Sequence, residues 1–191
     1  EVQFVSESSR ENDAQLDKAV HRLMPEQHTS YESEINLALP AWIASLSDCL
    51  AQGVILLVDY GFPRSEYYHP QRCMGTIMCH YQQRAHSDPL IFPGIQDITA
   101  HVDFTAIAEA ADNHGLQIAG YTHQAAFLAG CGIHELLTVN DEQQRARQAQ
   151  HLQVLMHPSE MGELFKVIAL SKSCDLPLIG YSLLDQTERL G

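Results

Sequence analysis

The sequence predicts an α/β fold. Two observations carry that prediction. Residues 54–60 read Val-Ile-Leu-Leu-Val-Asp-Tyr, a short, β-branched apolar run without alternation. A strand buried on both faces of a parallel sheet reads this way. The run also sits in a succession of helical spacings and short apolar runs, the ordering that α/β sheets require.

The elements follow in order. Residues 1–5 alternate like a short strand, and the polar stretch 6–13 reads as a loop. Leu16, Val20 and Leu23 share one face of an amphipathic helix over 16–24. Pro40 suits the first position of a second helix, whose fixed φ it pre-sets. Ile43, Leu46 and Leu50 follow at helical spacing, and Gly53 stops the helix. After the strand at 54–60, Gly61 and Pro63 end the extended run. Residues 62–94 form a long insertion punctuated by Pro63, Pro70, Pro89 and Pro93, with a strand at 76–81 inside it. A connection of that length carries function or structure of its own. A helix spans 104–113, with Asp103 or Thr105 as its cap and Gly115 as its stop. A strand at 116–121 follows. A small helix then opens at Gln124 and breaks at Gly130 and Gly132. A long polar helix covers 141–155, a loop 158–163, and a last strand 165–170. No internal repeat is visible, so the chain reads as one domain or part of one.

Composition bounds the rest. The chain has 191 residues, 45% of them hydrophobic, enough to bury a sizeable core. No apolar run approaches the ~20 residues of a membrane span, and no signal peptide is visible. A formal net charge of −13 repels phosphate backbones, which argues against nucleic acid and fits a partner or substrate with a basic surface. The same surplus also serves solubility. The cysteines number five, with no Cys-x-x-Cys pair, which points to a reducing compartment such as a bacterial cytoplasm. The eleven histidines fall in no zinc-ligand spacing, so no metal is expected.

The familiar phosphate-binding and nucleophile motifs are absent. No Gly-x-Gly-x-x-Gly follows a strand, and there is no P-loop or Gly-x-Ser-x-Gly elbow. Gly130-Cys131-Gly132 follows a helix-like segment and reads as a helix break.

A resemblance goes further. VDYG at 58–61 is followed by Arg72 with Gly75-Thr76, leading into PGIQDITAHVDF at 93–104. GYTHQAAFLAGCGI at 120–133 and MGELFKVIALSK at 161–172 complete the series. In this order they resemble the MidA family from about Tyr31 to the C-terminus, most specifically over 97–104. The resemblance implies a class I methyltransferase (Rossmann-like) fold that binds S-adenosylmethionine. The family's mitochondrial member, an assembly factor for respiratory complex I, methylates a protein arginine. On that fold, 54–60 would be the fifth strand, 116–121 the sixth and 165–170 the antiparallel seventh. The chain would then be the C-terminal half of the sheet plus a family-specific insertion. The glycine-rich half that holds the cofactor would lie outside it, so no cofactor is expected on this chain alone. Where relatives often carry a histidine, this chain has Gln83.

The candidate residues each have two readings. Asp59 and Tyr60 lie at the carboxyl end of a buried strand, where ligands gather in open α/β sheets. Asp59 could hold a substrate guanidinium through two parallel hydrogen bonds, or it caps the following turn while Tyr60 packs. Asp97, Thr99, His101 and Asp103 alternate along one stretch. They either face a groove for a basic peptide or form a capping network ahead of the helix at 104. His101 is a candidate general base. Arg72 either pairs with a carboxylate of the 97–103 run or meets substrate, and Gly75 permits a tight path beside Thr76. The Gln124 amide either reaches a ligand or starts its helix.

Three functions fit. The chain is the substrate-facing part of an arginine methyltransferase, inactive alone, with Asp59, Asp97, Asp103 and His101 as catalytic candidates. In that reading Tyr60, Arg72, Thr76, Thr99 and Gln124 face the substrate. Alternatively it docks a partner protein without chemistry. The third reading is structural: an unpaired sheet edge at 54–60 would join two copies into a homodimer.

Overall fold

A computed structural model describes residues 14–23, 31–136 and 142–191. In chain order these form α1 (Ala14–Leu23), α2 (Leu39–Cys49), β1 (Gly53–Phe62), α3 (Arg64–Tyr67), β2 (Met78–Tyr81), β3 (Arg84–His86), β4 (Asp97–Thr99), β5 (Val102–Asp103), α4 (Phe104–Asn113), β6 (Gln117–His123), α5 (Gln124–Gly130), α6 (Glu142–Met156) and β7 (Phe165–Lys172). The expectations for 1–13 lie outside the described residues. The fold is mixed α/β, as the sequence predicts.

The chain divides into two compact units, Ala38–Arg64 with Val102–Gly191, and Glu1–Leu37 with Ser65–His101. The larger holds a sheet of order β5-β1-β7-β6. β7 runs antiparallel to both neighbours, and β5 joins β1 in parallel at Gly61 and Phe62. Ile55 and Leu57 on β1 pack with Ile168 and Leu170 of β7, Tyr121 of β6 and the apolar faces of α2 and α4. Phe104, Ile107, Ala108 and Ala111 on α4 fall three and four apart, so one stripe of the helix faces this core. The opposite face is covered by a smaller cluster in which Tyr181, Phe127 and Leu178 overlie Val167 and Ala169.

One expectation needs correction. The run at 54–60 was expected to be buried on both faces of a parallel sheet. Its main partner is the antiparallel β7, and Val54, Leu56 and Val58 are 37%, 47% and 48% exposed. The covering layer on that face ends over β7.

The smaller unit is built on a three-stranded sheet of order β3-β2-β4. Gln82 and Gln83 both take positive φ, 47° and 64°, in the two-residue turn between Tyr81 and Arg84. That backbone is what a tight hairpin between twisted strands demands. Tyr81 stacks on Phe92 at 4.5 Å, and His86 meets the same ring edge-on. The strand inside the insertion is shorter than expected and starts at Met78.

Glu34 organises this unit. Its carboxylate accepts from the backbone N–H of Thr76 at 2.9 Å and of Ile77 at 3.0 Å, from Thr76 Oγ1 at 3.0 Å and from Tyr67 OH at 3.3 Å. Gly75 sits beside it at φ +69°, where an added Cβ would lie 2.2 Å from Glu34 Oε1. Here the glycine is required twice, by conformation and by space.

Candidate functional site

In the larger unit the carboxyl ends of β1 and β6 lie on either side of the amino end of β7. Lys166 of β7 is in register with Asp59 on one side and His123 on the other, a polar row across three strands. Asp59 is exposed, and its Oδ1 accepts from the Tyr60 N–H at 2.8 Å, which fixes the carboxylate over the strand end. Tyr60 packs edge-on against Phe165 at 5.6 Å between centroids. Lys166 is buried, donates to the Glu163 carbonyl, and places Nζ 5.7 Å from the centre of the Phe62 ring. His123 Nδ1 caps α5 by accepting from Ala126 N–H at 3.2 Å. Gln124 donates from Nε2 to the Leu155 carbonyl at 3.0 Å, so its amide ties α5 to α6.

Beyond the end of β1, Arg64 makes a dense set of contacts. Its N–H donates to Thr105 Oγ1 at 3.1 Å and its Nε to Asp103 Oδ2 at 3.2 Å. Nη1 and Nη2 both donate to the Glu109 carboxylate. This fork matches the planar geometry of guanidinium and carboxylate. Asp103 uses its other oxygen to accept from Ala106 N–H at 3.1 Å, so of the two predicted caps of α4, Asp103 and Thr105, it is Asp103 that caps. Burial pushes the Asp103 carboxyl above its usual range, against the pull of the Arg64 charge. The Arg64 guanidinium is held more firmly charged, chiefly by its hydrogen bonds to Glu109.

The other candidates lie in the smaller unit. Thr76 Oγ1 accepts from His101 N–H at 3.0 Å, so Thr76 links Glu34 to the end of the 97–101 stretch. Thr99 donates to the Met78 carbonyl at 3.0 Å. Asp97 pairs in register with His80 and is exposed. Arg72 donates from Nε to the Glu66 carbonyl at 3.2 Å. The arginine on Asp103 is Arg64, which sequence reasoning did not single out. Glu34, His123 and Lys166 were missed too. Of these only Lys166 leaves a signal, a cation within the apolar run 165–170.

The glycines show whether these residues could cradle S-adenosylmethionine. An added Cβ on Gly120 would strike the Tyr181 ring, on Gly130 the Ile179 carbonyl, and on Gly180 the Phe127 ring. Gly61 is tight because Val102 O would lie 2.2 Å from its Cβ. Each of these glycines makes room for the chain's own packing. Gly132 turns the chain at φ +76° after α5, not between a strand and a helix. These glycines therefore form no such cradle. Among the described residues there is also no cluster of three or more metal-ligating side chains. No described helix is long and apolar enough to cross a membrane.

Solved proteins of similar shape define the class. A native crystal structure from Burkholderia thailandensis matches 97% of this chain at 41% identity and a TM-score of 0.90, and the chain covers 50% of it. A superfamily member from the same organism, bound to S-adenosyl-homocysteine, matches 90% of the chain at 41% identity and a TM-score of 0.82, with 45% of that protein covered. The fold is thus that of a Rossmann-like class I methyltransferase. A family model described as "Putative S-adenosyl-L-methionine-dependent methyltransferase" matches residues 1–122, and the chain belongs to that family, the MidA family. Curated relatives include the mitochondrial protein arginine methyltransferase NDUFAF7 of Danio rerio, 29% identical over 70% of this chain and 33% of that protein. The Homo sapiens protein of the same name is 32% identical over 63% of this chain and 26% of its own length. The chain therefore spans about a third or less of these curated relatives.

Proposed function

We propose that this chain is the substrate-facing half of a methyltransferase whose acceptor is an arginine in a basic protein segment. The observation that carries the reading is Asp59, an exposed carboxylate fixed by the Tyr60 N–H at the carboxyl end of β1. Ligands of open α/β sheets gather at such strand ends. The relatives named as arginine methyltransferases and the net charge of −13 support the acceptor class.

The chemistry suits the position. A guanidinium is charged and poorly nucleophilic. A carboxylate that accepts two of its N–H bonds orients it and takes the proton released when nitrogen is alkylated. Asp59 fills that role, with Tyr60 beside it on the aromatic pair. Asp103 is placed otherwise: its oxygens hold Arg64 and the α4 cap, so it acts as a positioning residue. Thr76 and Thr99 shape the 97–101 stretch, and Gln124 fixes α5. Asp97 is an exposed carboxylate of the smaller unit and a second candidate for a basic peptide. The methyl donor belongs to the half of the fold outside this chain, so the chain is inactive alone.

The test is methyl transfer by an intact protein carrying this half, from labelled S-adenosylmethionine to arginine-containing and arginine-free peptides. Methylarginine in hydrolysates, lost at least 100-fold with Asp59→Asn, supports the reading. Label on another residue, or full activity in that variant, contradicts it. No transfer to any peptide or protein favours the partner-docking function.

A further inference from the structure

Among the described residues β6 ends the larger sheet, with β7 on its inner side. The outward backbone groups of such a strand need a partner or a cover. Residues 181–190 provide the cover. Tyr181 lies on the face of the sheet over Val167 and Ala169, its ring against Gly120 of β6. Leu190 lies on the opposite face, 5% exposed, in the cluster of Ile168, Leu170, Tyr121 and the apolar side of α4. The chain between these two anchors therefore passes from one face to the other around the edge of β6.

At the crossing the segment takes hold of one residue. Asp185 Oδ1 accepts from the Tyr121 N–H at 3.2 Å, and the Gln186 N–H donates to the Tyr121 carbonyl at 2.7 Å. A side-chain oxygen and a main-chain amide thus stand where a neighbouring strand would place its carbonyl and its amide. The same Asp185 oxygen accepts from the Thr187 N–H at 3.0 Å and from Thr187 Oγ1 at 2.7 Å, which fixes the turn into the short helix Thr187–Leu190. Both anchors are buried, and Asp185 between them is exposed, so the clasp opens to solvent without moving either anchor.

We infer that residues 181–190 form a strap that keeps β6 from pairing, and that opening the clasp at Asp185 lets β6 pair with β6 of a second copy of the chain. The strand itself selects that occupant. Gln117–His123 reads QIAGYTH, with no Asp, Glu, Lys or Arg, in a chain of net charge −13. Charged side chains are a common guard on edge strands, and β6 carries none of them. Two acidic copies repel least where neither presents a carboxylate, so β6 is a favourable line of approach for a second copy. A two-fold axis between identical strands makes the pairing antiparallel. The inference rests on the edge of β6 and not on the methyl-acceptor reading, so either stands if the other falls.

Amide hydrogen exchange and light scattering test it, on an intact protein carrying this half and over a range of concentrations. At low concentration the Tyr121 amide of Asp185→Ala should exchange about tenfold faster than in the wild type, while the β7 amides bonded to β1 stay slow. Raising the concentration should add a dimer that the wild type does not form and should slow the Tyr121 amide again. Asp185→Asn keeps an acceptor and should restore the exchange and association of the wild type. Gln186→Pro removes the other half of the clasp and leaves Asp185 in place. It should behave as Asp185→Ala does, and it decides the case if Asp185→Ala fails to fold. Three results overturn the inference: a Tyr121 amide as slow in the variants as in the wild type, a quickened amide with association unchanged, or a new dimer in which the Tyr121 amide stays quick.

Discussion

Arg64 Nε donates to Asp103 Oδ2 at 3.2 Å, while the far side of the same guanidinium is forked onto Glu109. The chain thereby fills with its own arginine a pair of carboxylates suited to holding one. The lock joins the end of β1 to the first turns of α4 and so fixes the strand end that carries Asp59.

Removing the guanidinium should be costly. Arg64 and Asp103 have side chains only 22% and 10% exposed, so Arg64→Ala leaves a buried carboxylate short of its cation. We expect a loss of about 2–3 kcal/mol and a lower melting temperature, with Arg64→Lys recovering only part because it cannot fork. Thermal and denaturant unfolding of both variants checks this.

The pH dependence has a definite sign. The folded-state pKa of Asp103 is raised, with burial the largest cause. Stability linked to a raised pKa is fully present below the unfolded value and is lost as pH rises through the folded one. Wild type minus Asp103→Asn stability should therefore fall as pH climbs from about 4 toward neutrality. A difference that stays flat or grows over that range would show that burial does not dominate.

The smaller unit should depend on Glu34. Glu34→Ala strips acceptors from the Thr76 and Ile77 N–H groups and from Tyr67, at a cost of about 2 kcal/mol. Gly75→Ala should act similarly, through an unfavourable φ of +69° and the collision with Glu34 Oε1. Limited proteolysis should cut first within 65–101 in both variants, before the larger unit opens.

Gln124→Ala should be mild. It removes one neutral bond to the Leu155 carbonyl, about 1 kcal/mol. Exchange of the α6 amides should quicken while those of β7 stay protected. Equal loosening of both would show that Gln124 supports the sheet rather than the α5–α6 contact.

Local signals made some of this legible in advance. The helix at 104–113 was read with both its bounds and with Asp103 as one of two possible caps, because capping and apolar spacing act within a few residues. Residues 54–60 were read correctly as a strand, but a continuous apolar run does not reveal which face gets covered. Val54, Leu56 and Val58 look like Ile55 and Leu57 until the layers are known. Arg64 and Glu34 could not be read at all. Their partners are remote in sequence, Asp103 and Glu109 for one and Thr76 for the other, and only the fold brings them together. Lys166 interrupts the apolar run 165–170 and so left a signal that was not taken up, and its place between Asp59 and His123 required the strand register.

The central claim is that this chain supplies the substrate side of a family methyltransferase and leaves the cofactor to the other half. Calorimetric titration of S-adenosylmethionine, into this chain and into an intact family protein carrying this half, tests it most directly. The account predicts no heat of binding to the chain alone and saturable one-to-one binding to the intact protein. Saturable binding to the chain alone would contradict it, and would place a cofactor site among residues assigned here to packing.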